Sequence, residues 1–242
     1  MLAVVYLVFT EGHRASGGEA LVRDDLCAEA VRLARLLAEL MPDEPEVLGL
    51  LALLLLTESR RSARTDGQGA LVLLAEQDRT RWDGELIGEG QALVRTCLRR
   101  ARPGPYQLQA AINAVHSDAW TAAETDWGQI VQLYDQLMSC NATPVVALNR
   151  AVALAEVADA ATALSEVERL DLDDFDSYHV TRADLLRRLG RLDEAAAAYD
   201  VALALTTNSA QRKFLARRRD EVIRSAGPQP DGGAPHDGPG AP

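Results

Sequence analysis

From Met1 to Ser225 apolar side chains recur every three or four residues, and breakers cut the pattern into stretches of about 10 to 18 residues. That spacing admits helices and leaves no room for strands. Leu and Ala together supply 76 residues, while Val and Ile supply 22, a ratio that favours helix over sheet. Asp24 and Asp25 open a helix that runs to Leu40, their charges placed at its positive end, and Pro42 and Pro45 close it. Glu46 to Arg60 reads as its partner, Arg61 to Gly69 as a polar loop, and Ala70 to Arg79 and Asp83 to Arg102 as the next pair. After Pro103-Gly104-Pro105, the strongest internal punctuation, the spacing predicts helices over Tyr106–Ser117, Asp126–Ser139, Pro144–Val157, Ala160–Leu170, Tyr178–Leu189, Asp193–Thr206 and Ser209–Ile223. Residues 226–242, rich in Gly, Pro, Asp and Ala, carry too little apolar surface to offset the entropy of ordering and are expected to be disordered.

A second periodicity is superimposed on the first. Counting from Ala183, Gly190, Ala195, Tyr199 and Ala202 fall at the small, small, aromatic and small positions by which the two helices of a tetratricopeptide-type repeat pack together. Ala151, Ala158, Ala163, Val167 and Leu170 form a degenerate copy 32 residues earlier. Ala30, Ala34 and Leu37 fit the second half of a repeat, with Ala52 where a following one would begin. A helical hairpin cannot bury its apolar face alone, so stacked hairpins share a continuous core and curve into a groove. The expected fold is all-α, a right-handed α-α superhelix of about eleven or twelve helices, divided into an N-terminal helical half over 1–102 and tetratricopeptide-like repeats over 103–225.

Composition excludes several function classes. The net charge of −11 repels phosphate backbones, which argues against direct DNA binding. Cys27, Cys97 and Cys140 are odd in number and widely spaced, which suggests neither a disulfide framework nor a zinc ribbon and fits a reducing cytoplasm. The longest apolar run, Val47 to Leu56, is half the length of a membrane span. Met1 to Phe9 lacks both a basic flank and a cleavage site, so no export signal is expected. Catalytic patterns are scarce: His116-Ser117-Asp118 are chain neighbours that cannot converge as a triad. Asp171 to Asp176 lacks the glycine and distal glutamate of a calcium loop. The four histidines are dispersed; neither enzyme activity, metal nor cofactor is expected.

Two polar patches are denser than a scaffold needs. In Glu76 to Asp83, Asp78 and Arg81 are spaced to pair and Trp82 to anchor a partner. In Gln211 to Arg224, Arg212, Lys213, Arg217, Arg218, Arg219 and Arg224 outnumber Asp220 and Glu221, as suits either a terminal cap or docking to an acidic protein or to nucleic acid. At the start, Tyr6-Leu7-Val8-Phe9-Thr10-Glu11-Gly12-His13 reads as a helix stopped by a glycine in the left-handed cap conformation.

That opening, with Asp25 to Arg35, Pro42 to Ala52, Gln77-Asp78-Arg79-x-Arg81-Trp82, Gly104 to Ile112 and Ala147-Leu148-Asn149-Arg150-Ala151, resembles the tetratricopeptide-like C-terminal extension of extracytoplasmic-function RNA polymerase sigma factors. The resemblance runs in order from about Leu2 to Ile223, with Thr10 and His13 where the family pattern has Asn and Tyr. It implies a cytoplasmic, regulatory, protein-interaction domain controlling transcription initiation. In such proteins two promoter-reading domains precede the extension, and Met1 falls just after the point where both would end. The implied partners are the sigma factor's own DNA-binding domains and core RNA polymerase, with a small DGPF-domain protein as a further one; no direct DNA or membrane binding is implied. Motif positions least needed for packing are the expected protein contacts: Glu11, Gln77, Asp78, Arg81, Trp82, Tyr106, Gln107, Gln109, Asn149 and Arg150. The alternatives are a free-standing repeat adaptor, or a small-molecule sensor with a pocket lined by Trp82, Tyr106, His116 and Trp127.

Overall fold

The computed structural model describes residues 1–19, 21–67 and 69–226, so the tail expected over 226–242 lies, from residue 227 on, outside the described residues. Among the described residues eleven α-helices follow one another: α1 (Leu2–His13), α2 (Asp24–Leu40), α3 (Pro45–Glu58), α4 (Gly84–Arg100), α5 (Pro105–Asp118), α6 (Trp127–Cys140), α7 (Pro144–Val157), α8 (Ala160–Val167), α9 (Asp176–Arg188), α10 (Leu192–Leu205) and α11 (Ser209–Ala226). Their starts are written locally. Pro45, Pro105 and Pro144 occupy first turns, where no N–H is missed. The Asp83, Asp126 and Asp159 carboxylates each accept from backbone N–H groups of the turn they open, at 2.7–3.1 Å.

α3 organises the N-terminal half. Every residue from Val47 to Leu56 is buried, so this helix is apolar all round and needs neighbours on each side. Leu50, Leu51, Leu54 and Leu55 meet Val5 and Phe9 of α1 and Cys27, Ala30 and Ala34 of α2. Ala52, Leu53 and Leu56 meet Val94 of α4 and Ala110 and Ala114 of α5. The core continues through α5, α6 and α7 around Ile112, Ile130 and Leu137. It ends in the α7–α11 cluster, where Ala151, Ala163, Ala183, Ala195, Tyr199 and Ala202 are buried. Those are the small and aromatic positions picked out by the repeat spacing. Each helix packs on the next, and α1 on α3, α3 on α5 and α7 on α9 also touch; odd-numbered helices therefore line one face of a helical-repeat superhelix.

The chain's beginning is clasped to its end. Arg14, just past α1, reaches Asp176 Oδ2 (2.6 Å) and Ser177 Oγ (2.6 Å) at the start of α9 and Gln211 Oε1 (3.4 Å) on α11. Gly18 O accepts from Ser209 N at 3.1 Å.

Two expectations are corrected. Ala70–Arg79 is not an α-helix: a bridge joins Thr65 to Leu71, and only single 3₁₀ turns form at Leu74–Glu76 and Arg79–Arg81. Leu71 and Leu73 both pack against the C-terminal core, and only extended backbone puts alternate residues on one side. This segment is a strap from α3 to the later repeats. Gly12, moreover, is no left-handed cap; it lies inside α1, where a Cβ would come within 2.9 Å of Leu26 Cβ and Cys27 Sγ and 2.8 Å of Cys27 N. The glycine is there for the close approach of α1 to α2. Gly12→Ala is expected to cost about 1–3 kcal/mol by overpacking, read as a lowered urea midpoint at unchanged m-value.

Candidate functional site

Closure of the superhelix leaves a cavity of about 760 Å³ on its concave face. α1 contributes Tyr6, Leu7, Phe9, Thr10, Glu11 and His13; α3 contributes Leu53 and Thr57, with Arg60 just beyond it; α5 contributes Gln109, Ile112 and Asn113. Tyr134 of α6, Asn149 of α7 and Phe175 ahead of α9 complete the wall, and Arg14 stands at the clasp. Every contributing helix except α6 is odd-numbered, as the stacking requires.

The polar groups are tied to one another. Tyr6 donates its hydroxyl to Gln109 Oε1 at 3.3 Å and meets Tyr106 edge-on at 5.5 Å. Arg60 Nη2 donates to Asn113 Oδ1 at 2.6 Å, and Asn113 Nδ2 donates to Gln109 O at 2.9 Å. The Glu11 carboxylate is turned to Ser16, accepting from its N and Oγ at 3.2 Å.

Electrostatically the wall is unusual. Among the described residues no carboxylate lies within 4.0 Å of Arg60 or Arg64. Arg64 instead donates to His13 O. Burial, joined by the charges of Arg64 and Arg79, lowers Arg60 to about 10, and burial likewise lowers Arg64 to about 10. Arg60 and Arg79 flank the buried Trp82, 5.8 and 4.9 Å from its ring centroid. Tyr134 is pushed up to about 12, chiefly by burial. His13, stacked on Phe9 at 5.6 Å, falls to about 2 through burial and the nearby Arg64 and Arg60. His116, edge-on to Trp127 at 5.2 Å, falls to about 4 through burial, Arg60 and Arg79. At the clasp, burial opposes ionisation of Asp176, but Arg14 and the hydrogen bonds from Ser177 and Gln211 outweigh it and hold the carboxyl below its ordinary value.

Of the residues expected to make contacts, Glu11, Gln109 and Asn149 are brought together in this cavity. Asp78, Arg81, Gln77 and Trp82 sit on the strap. Asp78 caps the 3₁₀ turn by accepting from Thr80 N at 3.0 Å, and the Arg81 guanidinium donates to Ser62 O. The spacing-based Asp78–Arg81 pair thus gives way to local capping. Gln77 Nε2 donates to Val72 O at 3.3 Å. Trp82 is 8 % exposed, which leaves its ring in the core. Tyr106 N and Gln107 N donate to Glu46 at 3.0 and 3.3 Å, so Glu46 of α3 caps α5, and buried Gln107 also donates its amide to Glu46 at 2.9 Å. Arg150 pairs with Asp135 at 2.6 Å, joining α7 to α6. The basic helix α11 is matched in part: Arg218 faces Asp184 and Glu221, and Arg219 faces Asp200 and Asp220. None of Trp82, Tyr106, His116 and Trp127 lines the concave cavity. Arg60, Asn113, Tyr134 and Phe175 were missed, because each belongs to a different helix or loop and no sequence spacing links them. Arg60 did carry one signal: it lies four residues past the apolar run Val47 to Leu56, close to where a charge is costly.

Residues 1–98 match the model of a family of unknown function (DUF6596). An uncharacterized protein of Rhizobium meliloti (strain 1021) is 46 % identical over 221 residues, 90 % of this chain. The chain spans about half the length of that curated relative, 52 % of it. The crystal structure of a thermophilic TPR protein from Thermus thermophilus superposes with a TM-score of 0.59 at 17 % identity, over 92 % of this chain and 97 % of that one. The fold is therefore that of a tetratricopeptide-like helical-repeat protein. Among the described residues no helix is long and apolar enough to cross a membrane, and no group of three His, Cys, Asp or Glu side chains is placed to hold a metal ion.

The buried histidines set an acid limit on stability. Both are neutral in the fold below pH 6.5, where the unfolded chain takes up protons, so stability is complete above that pH and falls as pH drops. The slope reaches at most about 1.4 kcal/mol per pH unit for each histidine. Urea unfolding between pH 7.5 and 4.5 should show it, and His116→Gln should remove its share.

Proposed function

We propose that this chain is the regulatory, protein-interaction part of an extracytoplasmic-function RNA polymerase sigma factor, acting on transcription initiation through contact with the sigma factor's DNA-binding domains and core RNA polymerase. One observation carries most of the weight: Glu11, Gln109 and Asn149, which lie in three separate sequence strings that resemble that group of proteins, line one concave wall. Side chains that a solenoid does not need for its core, gathered on its groove, are what partner recognition uses. The relative from Rhizobium meliloti supports the reading by its length, since nearly half of it lies beyond the match and has room for promoter-reading domains. Held on one chain, such domains and the repeats would meet at high effective concentration, so a weak contact suffices for control. A small DGPF-domain protein is a further proposed partner.

A free-standing adaptor is the second reading. It is favoured by the Thermus TPR protein, 97 % of which is covered by a superhelix of this size.

Co-purification of the 242-residue chain with the DNA-binding domains of a sigma factor and with core RNA polymerase separates the two. The sigma reading expects capture by at least one of them, weakened about tenfold or more by Asn149→Ala, an exposed position whose loss leaves the core intact. Capture by neither removes the sigma reading and leaves the adaptor.

A further inference from the structure

The concave cavity holds a cation, Arg60, that no carboxylate among the described residues neutralises. Arg14 is matched by Asp176 at 2.6 Å, and Glu11 is occupied with Ser16. Arg60 is left with the neutral amide of Asn113, and Arg64 and Arg79 behind it add charge of the same sign. A guanidinium presents five N–H donors in a planar fork suited to a carboxylate, and only Nη2 of Arg60 is engaged by a side-chain acceptor among the described residues. Around it stand Tyr6, Phe9, Leu53, Ile112, Tyr134 and Phe175, rings and branched chains that favour a flat apolar body. About 760 Å³ is within the range of small-molecule sites.

We propose that this cavity binds a small organic acid, a carboxylate carried on an aromatic body, with the carboxylate on the Arg60 fork and the ring among Phe9, Tyr134 and Phe175. The proposal goes beyond the protein-contact reading and does not depend on it: it gives the solenoid a chemical input as well as a partner. Two features of the fold would make occupancy consequential. The cavity is walled by α1 and by the helices that follow it, and Arg14, which pairs with Asp176, stands among its lining residues. A ligand seated on Arg60 therefore ties the first helix to the middle of the chain, and any binding restricted to the folded state raises its melting temperature.

Isothermal titration calorimetry and thermal shift on the 242-residue chain, with 4-hydroxyphenylacetate and indole-3-propionate as probes and their amides as neutral controls, test this. The expected result is saturable binding of at least one acid, at least tenfold tighter than its amide, with a raised melting temperature. Arg60→Gln should abolish it. Because Arg60 is half-buried and tied to Asn113, so that its loss risks the fold, Asn149→Asp provides the independent check: it places a second negative charge on the cavity wall at an exposed position, and should weaken the acid at least tenfold while leaving the circular dichroism spectrum unchanged. Equal affinity for acid and amide, undiminished binding by a folded Asn149→Asp chain, or no binding of either acid at millimolar concentration would overturn the proposal. Co-purification with polymerase or sigma domains is a separate readout, so failure of one idea is not failure of the other.

Discussion

A helix that is apolar on every side cannot lie on a surface, and α3 is such a helix. With Val47 to Leu56 all buried, its neighbours must cover it completely, and the chain does so with α1 and α2 on one side and α4 and α5 on the other. Later helices add to that arrangement by the same rule at lower stakes, each hairpin covering the exposed face of its predecessor. Small residues such as Ala183, Ala195 and Ala202 are buried where α9 and α10 pack together. The concave cavity is the geometric residue of this stacking, walled by the odd-numbered helices.

Closure then decides the cavity's character. The Arg14 clasp consumes the cation nearest the mouth, and the Ser16 contact consumes Glu11. The strap that begins at Ala70 carries Arg79 over Trp82 and sends Leu71 and Leu73 into the last core cluster. What is left facing the interior is Arg60, with no carboxylate beside it among the described residues, in a chain whose acids outnumber its bases by 11. A surplus of acids is therefore no guide to the charge of its groove.

Several of the residues singled out by sequence meet in one cavity and several do not, for reasons visible residue by residue. Glu11, Gln109 and Asn149 converge because α1, α5 and α7, which carry them, all wall the concave cavity. Trp82 and Gln107 were as prominent in sequence, yet one is clamped between two arginines and the other is bound to Glu46. A large or polar side chain in a distinctive string looks the same whether it meets a partner or fills a junction; only its neighbours tell the two apart. Gly12 shows the same limit: its presence at a helix end suggested a cap, whereas the requirement is set by Cys27 across the helix interface.

The sequence alone determined where eleven of the helices fall, the all-α class and the repeat packing of α9 on α10, because each depends on contacts within a few residues or on a periodicity that the chain writes linearly. It could not determine that Ala70–Arg79 would run extended, that Arg14 would close the superhelix on Asp176, or that Arg60 would be left with Asn113 in place of an acid. The last two outcomes depend on pairs separated by 162 and 53 residues. Which distant groups meet is settled by how much each hairpin turns on the last, and that turn is the summed result of side-chain packing along the whole stack.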